Sequence, residues 1–100
     1  MISHFKFVWD ENKNILNQKK HKVSFEEAKT VFSDQYARLI PDPDHSDTEE
    51  RFILMGFSVQ FRTLLVSHCY RENDSVIRII SARKANRQEQ QQLGGIYYER

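Results

Sequence analysis

Between residues 51 and 80 the chain spells three apolar, strand-like segments in close succession, at 51–58, 62–68 and 76–80. Val59-Gln60-Phe61 joins the first two as a tight connection, and Arg71-Glu72-Asn73-Asp74-Ser75 makes a hairpin loop into the third. Neither has the dozen or more residues that a crossover to a parallel strand requires. The apolar residues fall on both faces: Phe52, Ile53, Leu54, Met55 and Phe57, then Leu64, Leu65 and Val66. Strands of that kind belong in the middle of a sheet covered on at least one side by helices. A further strand is expected at 36–40, stopped by Pro41. Four successive strands favour antiparallel hairpins, which places the chain in the α+β class with a mainly antiparallel sheet.

Phe5-Lys6-Phe7-Val8-Trp9 alternates and then turns wholly apolar, so it reads as a first strand. Asp10 can cap a helix running to about His21, a polar one with Ile15 and Leu16 as its main apolar contacts. Ser24-Phe25-Glu26-Glu27 has the form of a capping box: Ser24 accepts from the Glu27 amide while the Glu27 side chain reaches back to the Ser24 amide. Phe25, Ala28, Val31 and Phe32 share one face of the helix that follows, which should end near Ser33-Asp34. Ser81 can cap a last helix from Ala82 to about Gln92, with Gly94-Gly95 ending it. The expected order is β-α-α-β-β-β-β-α.

One hundred residues suit one domain spanning 1–100. The single cysteine, Cys69, cannot form an internal disulfide, and no Cys/His cluster has zinc spacing. The acidic loop from Pro41 to Asp47 lacks a full metal-ligand pattern, so neither metal nor cofactor is expected. Residues 1–9 lack the apolar run of a signal peptide, and nothing approaches a membrane span. The expectation is a cytoplasmic chain with no membrane partner. Net charge is only +1, but 7 Lys/Arg face 10 Asp/Glu in residues 1–50, against 8 and 4 in residues 51–100. Residues 78–88 hold Arg78, Arg83, Lys84 and Arg87 and no acid. A global field for nucleic acid is absent; a local basic patch, or a solvated charged face, is available.

The ordered motifs Phe7-Val8-Trp9-Asp10, Lys20-His21, Val23-Ser24-Phe25-Glu26-Glu27-Ala28, Pro41-Asp42-Pro43-Asp44-His45-Ser46, Glu49-Glu50-Arg51-Phe52 and Val76-Ile77-Arg78-Ile79-Ile80-Ser81-Ala82-Arg83 resemble the BrnT family of toxins across nearly the whole chain. The family's pattern has Gly after the Lys-His pair; Lys22 stands there, which bears on the turn after the first helix. The resemblance implies a RelE-like fold and a ribonuclease that halts translation. It also implies a BrnA-like ribbon-helix-helix antitoxin, through which alone the complex reaches promoter DNA.

The resemblance also puts Arg83 and Arg87 on positions where the family carries arginines important for toxicity. Read as a helix from Ala82, that segment sets the two four residues apart on one face, near an N-terminus where positive charge opposes the macrodipole. Together with free amides they make a phosphate site; alternatively they face water or pair with Glu89. Arg71 in the hairpin loop is a further catalytic candidate, and Arg78, inside an apolar strand, either faces the cleft or snorkels at the sheet edge. Arg62 reads as solvated. RNA cleavage needs the 2′-oxygen activated and a phosphorane stabilised; arginine serves the second need, and His or a tuned Glu the first. His21 is a catalytic candidate, although a cation at the end of the first helix is also what the dipole favours. No His/Glu pair has convincing spacing, which points to catalysis by charge placement, with Lys20, Arg51, Glu50 and Arg78 as RNA-binding helpers. His68 reads as structural, and Phe7 and Trp9 as core aromatics or base-stacking groups. RNA is the expected substrate, with the ribosome as a candidate platform. A non-cleaving RNA- or ribosome-binding inhibitor and an inactive co-repressor remain alternatives.

Overall fold

A computed structural model describes residues 5–43 and 49–98, the last six as backbone only. The elements are β1 (Lys6–Val8), α1 (Glu11–His21), α2 (Phe25–Thr30) followed by a 3-10 turn (Val31–Ser33), β2 (Arg38–Pro41), β3 (Phe52–Phe57), β4 (Thr63–Arg71), β5 (Val76–Lys84) and α3 (Arg87–Tyr98). They form one sheet in the order β1-β5-β4-β3-β2. β1 runs parallel to β5, and the other neighbours are antiparallel. The α+β class and the expected element order hold. Among the described residues no helix is long and apolar enough to cross a membrane.

One face of the sheet is covered. Val23, Phe25, Ala28 and Val31 bury themselves against Leu54, Leu64, Val66, Ile77, Ile79 and Ala82. Burying side chains of this size contributes roughly 1.5–3 kcal/mol each for the larger ones. Gly56 permits that contact, because a Cβ there would lie 2.8 Å from the Ala37 Cβ and 3.1 Å from the Val31 Cγ1. α1 is too polar to hold on by apolar burial, and two asparagines fasten it instead. Asn14, fully buried, accepts from the Phe25 amide at 2.8 Å. Asn17 donates to the carbonyls of Val23 and Ala82 at 2.8 Å and accepts from the Ala82 amide at 3.1 Å. β1 pairs only with Val76, Ile77 and Arg78 of β5. The Asn17 amide thus takes the place of a strand further along that edge.

Five local expectations are corrected. Ser81 does not cap a helix: residues 81–84 continue β5, paired with Ser67, Val66, Leu65 and Leu64 of β4, and Ala82 is buried. Ladder hydrogen bonds and burial outweigh the helix propensity of this stretch. The helix starts at Arg87 instead, where the Asn86 side chain accepts from the Glu89 amide and Glu89 accepts from the Asn86 amide, both at 2.8 Å. Gly94 and Gly95 lie within it rather than ending it. Pro41 sits in β2 rather than stopping it, as an edge strand allows because one side of its backbone needs no partner. Arg71 closes β4, and the turn beyond it takes left-handed backbone at Glu72, Asn73 and Asp74. Finally, only half of the capping box at Ser24 forms. Ser24 accepts from the Glu27 amide at 3.0 Å, but the Glu27 carboxylate turns away to Ser58 and Arg62.

Candidate functional site

The pleat assigns the rest. A bulge at Ser67/His68 shifts the register of β5, so that Ile77 and Ile79 join the core, then Ala82. Ser81 and Arg83 thereby reach the opposite face, beside Ser67 and Leu65 of β4. There a cleft of about 320 Å³ opens, lined by His21, Asp42, Arg51, Ile53, Leu65, Ser67, Ser81, Ala82 and Arg83. Leu65 and Ile53 are part of its apolar lining, and both belong to a small cluster with Met55 and Ala85.

Arg83 points its fork at α3. Its Nη1 donates to one Glu89 oxygen at 3.0 Å and its Nη2 to the other at 2.9 Å. These bonds hold the Glu89 carboxyl below the usual range and push the Arg83 guanidinium up. Arg51 lines the same cleft, and its Nε is buried with no hydrogen-bond partner among the described residues. A desolvated donor of that kind is costly to leave unmade and favours an incoming anion. Asp42 is buried and accepts from the Ser67 hydroxyl at 3.2 Å.

Next to the cleft stands a second charged group. The Arg71 Nη2 lies 2.5 Å from Glu49, the Arg51 Nε lies 4.0 Å from it, and the Cys69 thiol donates to it at 3.2 Å. The thiol hydrogen bond lowers the Glu49 carboxyl; burial opposes this, and the charges of Arg71, Arg78 and Arg51 reinforce it. Burial and the Glu49 charge push the Cys69 thiol up. Glu49 is therefore a carboxylate and Cys69 a neutral thiol near neutral pH. Neither is matched to take a proton there.

Of the residues anticipated from sequence, Arg83, Arg51 and His21 line one cleft, and Arg71 and Arg78 sit by Glu49 on the same side of the sheet. Arg83 and Arg87 do not share a helical face: Arg83 belongs to β5, and Arg87 is the exposed first residue of α3. Lys20 is exposed in the last turn of α1 beside His21, and Glu50 is exposed between the Glu49 bridge and β3. Arg62 is not a solvated charge. It pairs with the buried Glu27, its Nε donating to Oε2 at 3.0 Å and its Nη2 to Oε1. Asp44, His45, Ser46 and Asp47 of the acidic loop lie outside the described residues.

His68 stays on the covered face, fully buried, with Phe32, Phe52 and Tyr70 around its ring. Its Nδ1 bonds the Val66 carbonyl at 3.0 Å and its Nε2 the Tyr70 hydroxyl at 3.2 Å. Trp9 packs on Phe25 and Phe7 on Phe32, so both aromatics serve the covered side. Sequence reading passed over Glu49, Cys69, Ser67 and Ser81 as site residues. The available signal was the alternation of β4: Leu65, Ser67, Cys69 and Arg71 share a parity opposite to that of Leu64, Val66, His68 and Tyr70.

The fold is similar to the 1.1 Å crystal structure of the Brucella abortus ribonuclease toxin BrnT, with a TM-score of 0.64 and 22% identity over 83% of this chain and 99% of that one. No curated protein sequence matches the chain. Residues 9–89 match the family described as ribonuclease toxin, BrnT, of type II toxin–antitoxin system. The chain belongs to the BrnT family of ribonuclease toxins.

Proposed function

We propose that this protein is an endoribonuclease that cuts cellular RNA at the cleft and arrests translation, in the cytoplasm, until a BrnA-like ribbon-helix-helix antitoxin covers that surface. The observation that carries the proposal is the gathering of Arg83, Arg51 and His21 around one cleft, with Arg71 and Arg78 alongside. The guanidinium groups of Arg83 and Arg51 grip the scissile phosphate and stabilise the charge that grows on the phosphorane. His21 takes the proton from the 2′-hydroxyl. The 2′-oxygen bonds to phosphorus, the bond to the 5′-oxygen breaks, and the departing oxygen takes a proton from water. Arg71 and Arg78 hold flanking phosphates, while Lys20, Glu50 and the exposed Arg87 border the path of the strand. Promoter DNA is engaged only through the antitoxin, and the ribosome serves as the platform that presents the RNA.

Induction in cells without the antitoxin, with mapping of RNA 5′ ends, tests this. The expected result is growth arrest with new 5′ ends, both abolished by Arg83→Ala and by co-expression of the antitoxin. Arrest without new ends would replace cleavage with blockade by a bound toxin. Absence of arrest would leave a co-repressor. Cleavage of purified RNA with and without ribosomes decides the platform.

A further inference from the structure

Arg83 presents its two terminal nitrogens to the two oxygens of one carboxylate, Glu89, at 3.0 and 2.9 Å. This is also the manner in which a guanidinium holds two non-bridging oxygens of a phosphodiester. Glu89 is kept in place by its own helix: the oxygen facing Nη1 also accepts from the Asn86 amide at 2.8 Å, and the Glu89 amide donates to the Asn86 side chain. The pair is open to water, with the side chains of Arg83 and Glu89 45% and 28% exposed. An ion pair exposed to that degree is worth little and exchanges readily. Its other neighbours are groups an anion would meet: Arg83 lines the cleft with Arg51 and His21.

We propose that Glu89 is an internal stand-in for the substrate's phosphate, filling the fork of Arg83 in the free protein and yielding it when an RNA phosphodiester enters. The inference rests on the reading of the cleft as the RNA site. Displacement need not unwind α3, because the bond from the Glu89 amide to the Asn86 side chain does not involve the carboxylate. The carboxylate then tunes the toxin: it holds the Arg83 fork at the α3 side of the cleft and opposes weak, adventitious anions.

The test compares the full chain with Glu89→Gln, which keeps the acceptor for Asn86 and removes the charge. The probes are inorganic phosphate and a short single-stranded RNA, each followed through the Arg83 side-chain NMR signal and by its Kd. Glu89→Gln should bind both roughly 3- to 10-fold more tightly, the scale of one exposed ion pair. The gain should vanish in the Arg83→Ala background. No gain, or an equal gain without Arg83, overturns the proposal, the latter because it would report only one lost negative charge. Tighter phosphate binding at Arg83 with no RNA binding by either protein would uphold the stand-in role and sink the RNA reading instead.

Discussion

Two glutamates stand at equivalent places in two helices and do different things. Glu27 and Glu89 are each the third residue of a helix, three positions after a capping residue, Ser24 or Asn86, and each meets an arginine from the sheet side. The Glu27 side chain is 3% exposed and turns to Arg62 and Ser58 instead of back to the Ser24 amide. Burial pushes its carboxyl up, but the hydrogen bonds from Arg62 and Ser58 and the Arg62 charge outweigh this and lower it. Glu89 keeps its capping partner and adds Arg83 in water. The same local motif thus locks the covered side and merely latches the open side. What separates the two is access of solvent to the carboxylate, because only the exposed pair can trade its partner for another anion.

The largest expected effect breaks the lock. Arg62→Ala strands a buried carboxylate and should cost about 3 kcal/mol of stability, whereas Glu89→Ala should cost under about 1 kcal/mol. Urea denaturation of the two variants measures both. Equal losses would mean that the two forks are the same kind of device. Next comes activity. Arg83→Ala should lower RNA cleavage by about 100-fold, the scale of losing a preorganised donor to a charged transition state, while melting close to wild type. Arg87→Ala, one position past the cap and clear of the cleft, should change cleavage by less than about threefold. Should Arg87 matter as much as Arg83, the cleft would have to extend over α3.

The contrast also shows which parts of the molecule local sequence can encode. Element order, the caps at Asp10 and Ser24 and the burial of Phe25, Ala28 and Val31 are set by neighbours within a few residues, and all were legible. The end of β5 was not, since Ser81-Ala82-Arg83-Lys84 is as good a helix start as a strand end until β4 supplies a partner. Asn86 and Glu89 did carry a local signal of the true start, of the same form as Ser24 and Glu27. The fate of Glu27 depends on Arg62, 35 residues away, and no capping rule contains it. For the site, the arginines were legible as residue types. That Glu49 rather than Glu50 meets Arg71 follows from strand register, which only the assembled sheet fixes.

A third test separates the histidines as the first separated the glutamates. His68 is held neutral: burial lowers its pKa below the ordinary 6.5, against a smaller opposing effect of the Val66 carbonyl. The folded state therefore binds fewer protons than the unfolded one, and the stability this group contributes is present above pH 6.5 and lost as pH falls toward the folded value. Unfolding free energy should decline through that window in the wild type, and the decline should flatten in His68→Gln, which can still donate to Val66 and accept from Tyr70. Below about pH 4.5 both proteins should weaken further as the lowered carboxyls of Glu27, Glu49 and Glu89 take protons. An unchanged slope in His68→Gln would show that the buried ring is not the sensor.

The smallest effect probes how firmly the lock holds the backbone behind it. Lys22 caps α1 in left-handed backbone, φ 61 and ψ 31, with its amide donating to the Gln18 carbonyl at 2.9 Å. So the turn is the one a glycine would make, kept by a residue with a Cβ at a cost of about 1 kcal/mol. It is kept because the Lys22 carbonyl accepts from the Arg62 guanidinium at 3.0 Å while Arg62 also grips Glu27. Lys22→Gly should therefore stabilise the fold by about 0.5–1 kcal/mol, glycine's freer unfolded state taking back part of the relief. Thermal melting would rise by roughly 2–8 °C. In an Arg62→Ala background the turn is free to relax around lysine, and the gain from glycine should shrink. If it stays the same size, the strain at Lys22 belongs to the helix end alone and the fork does not reach it.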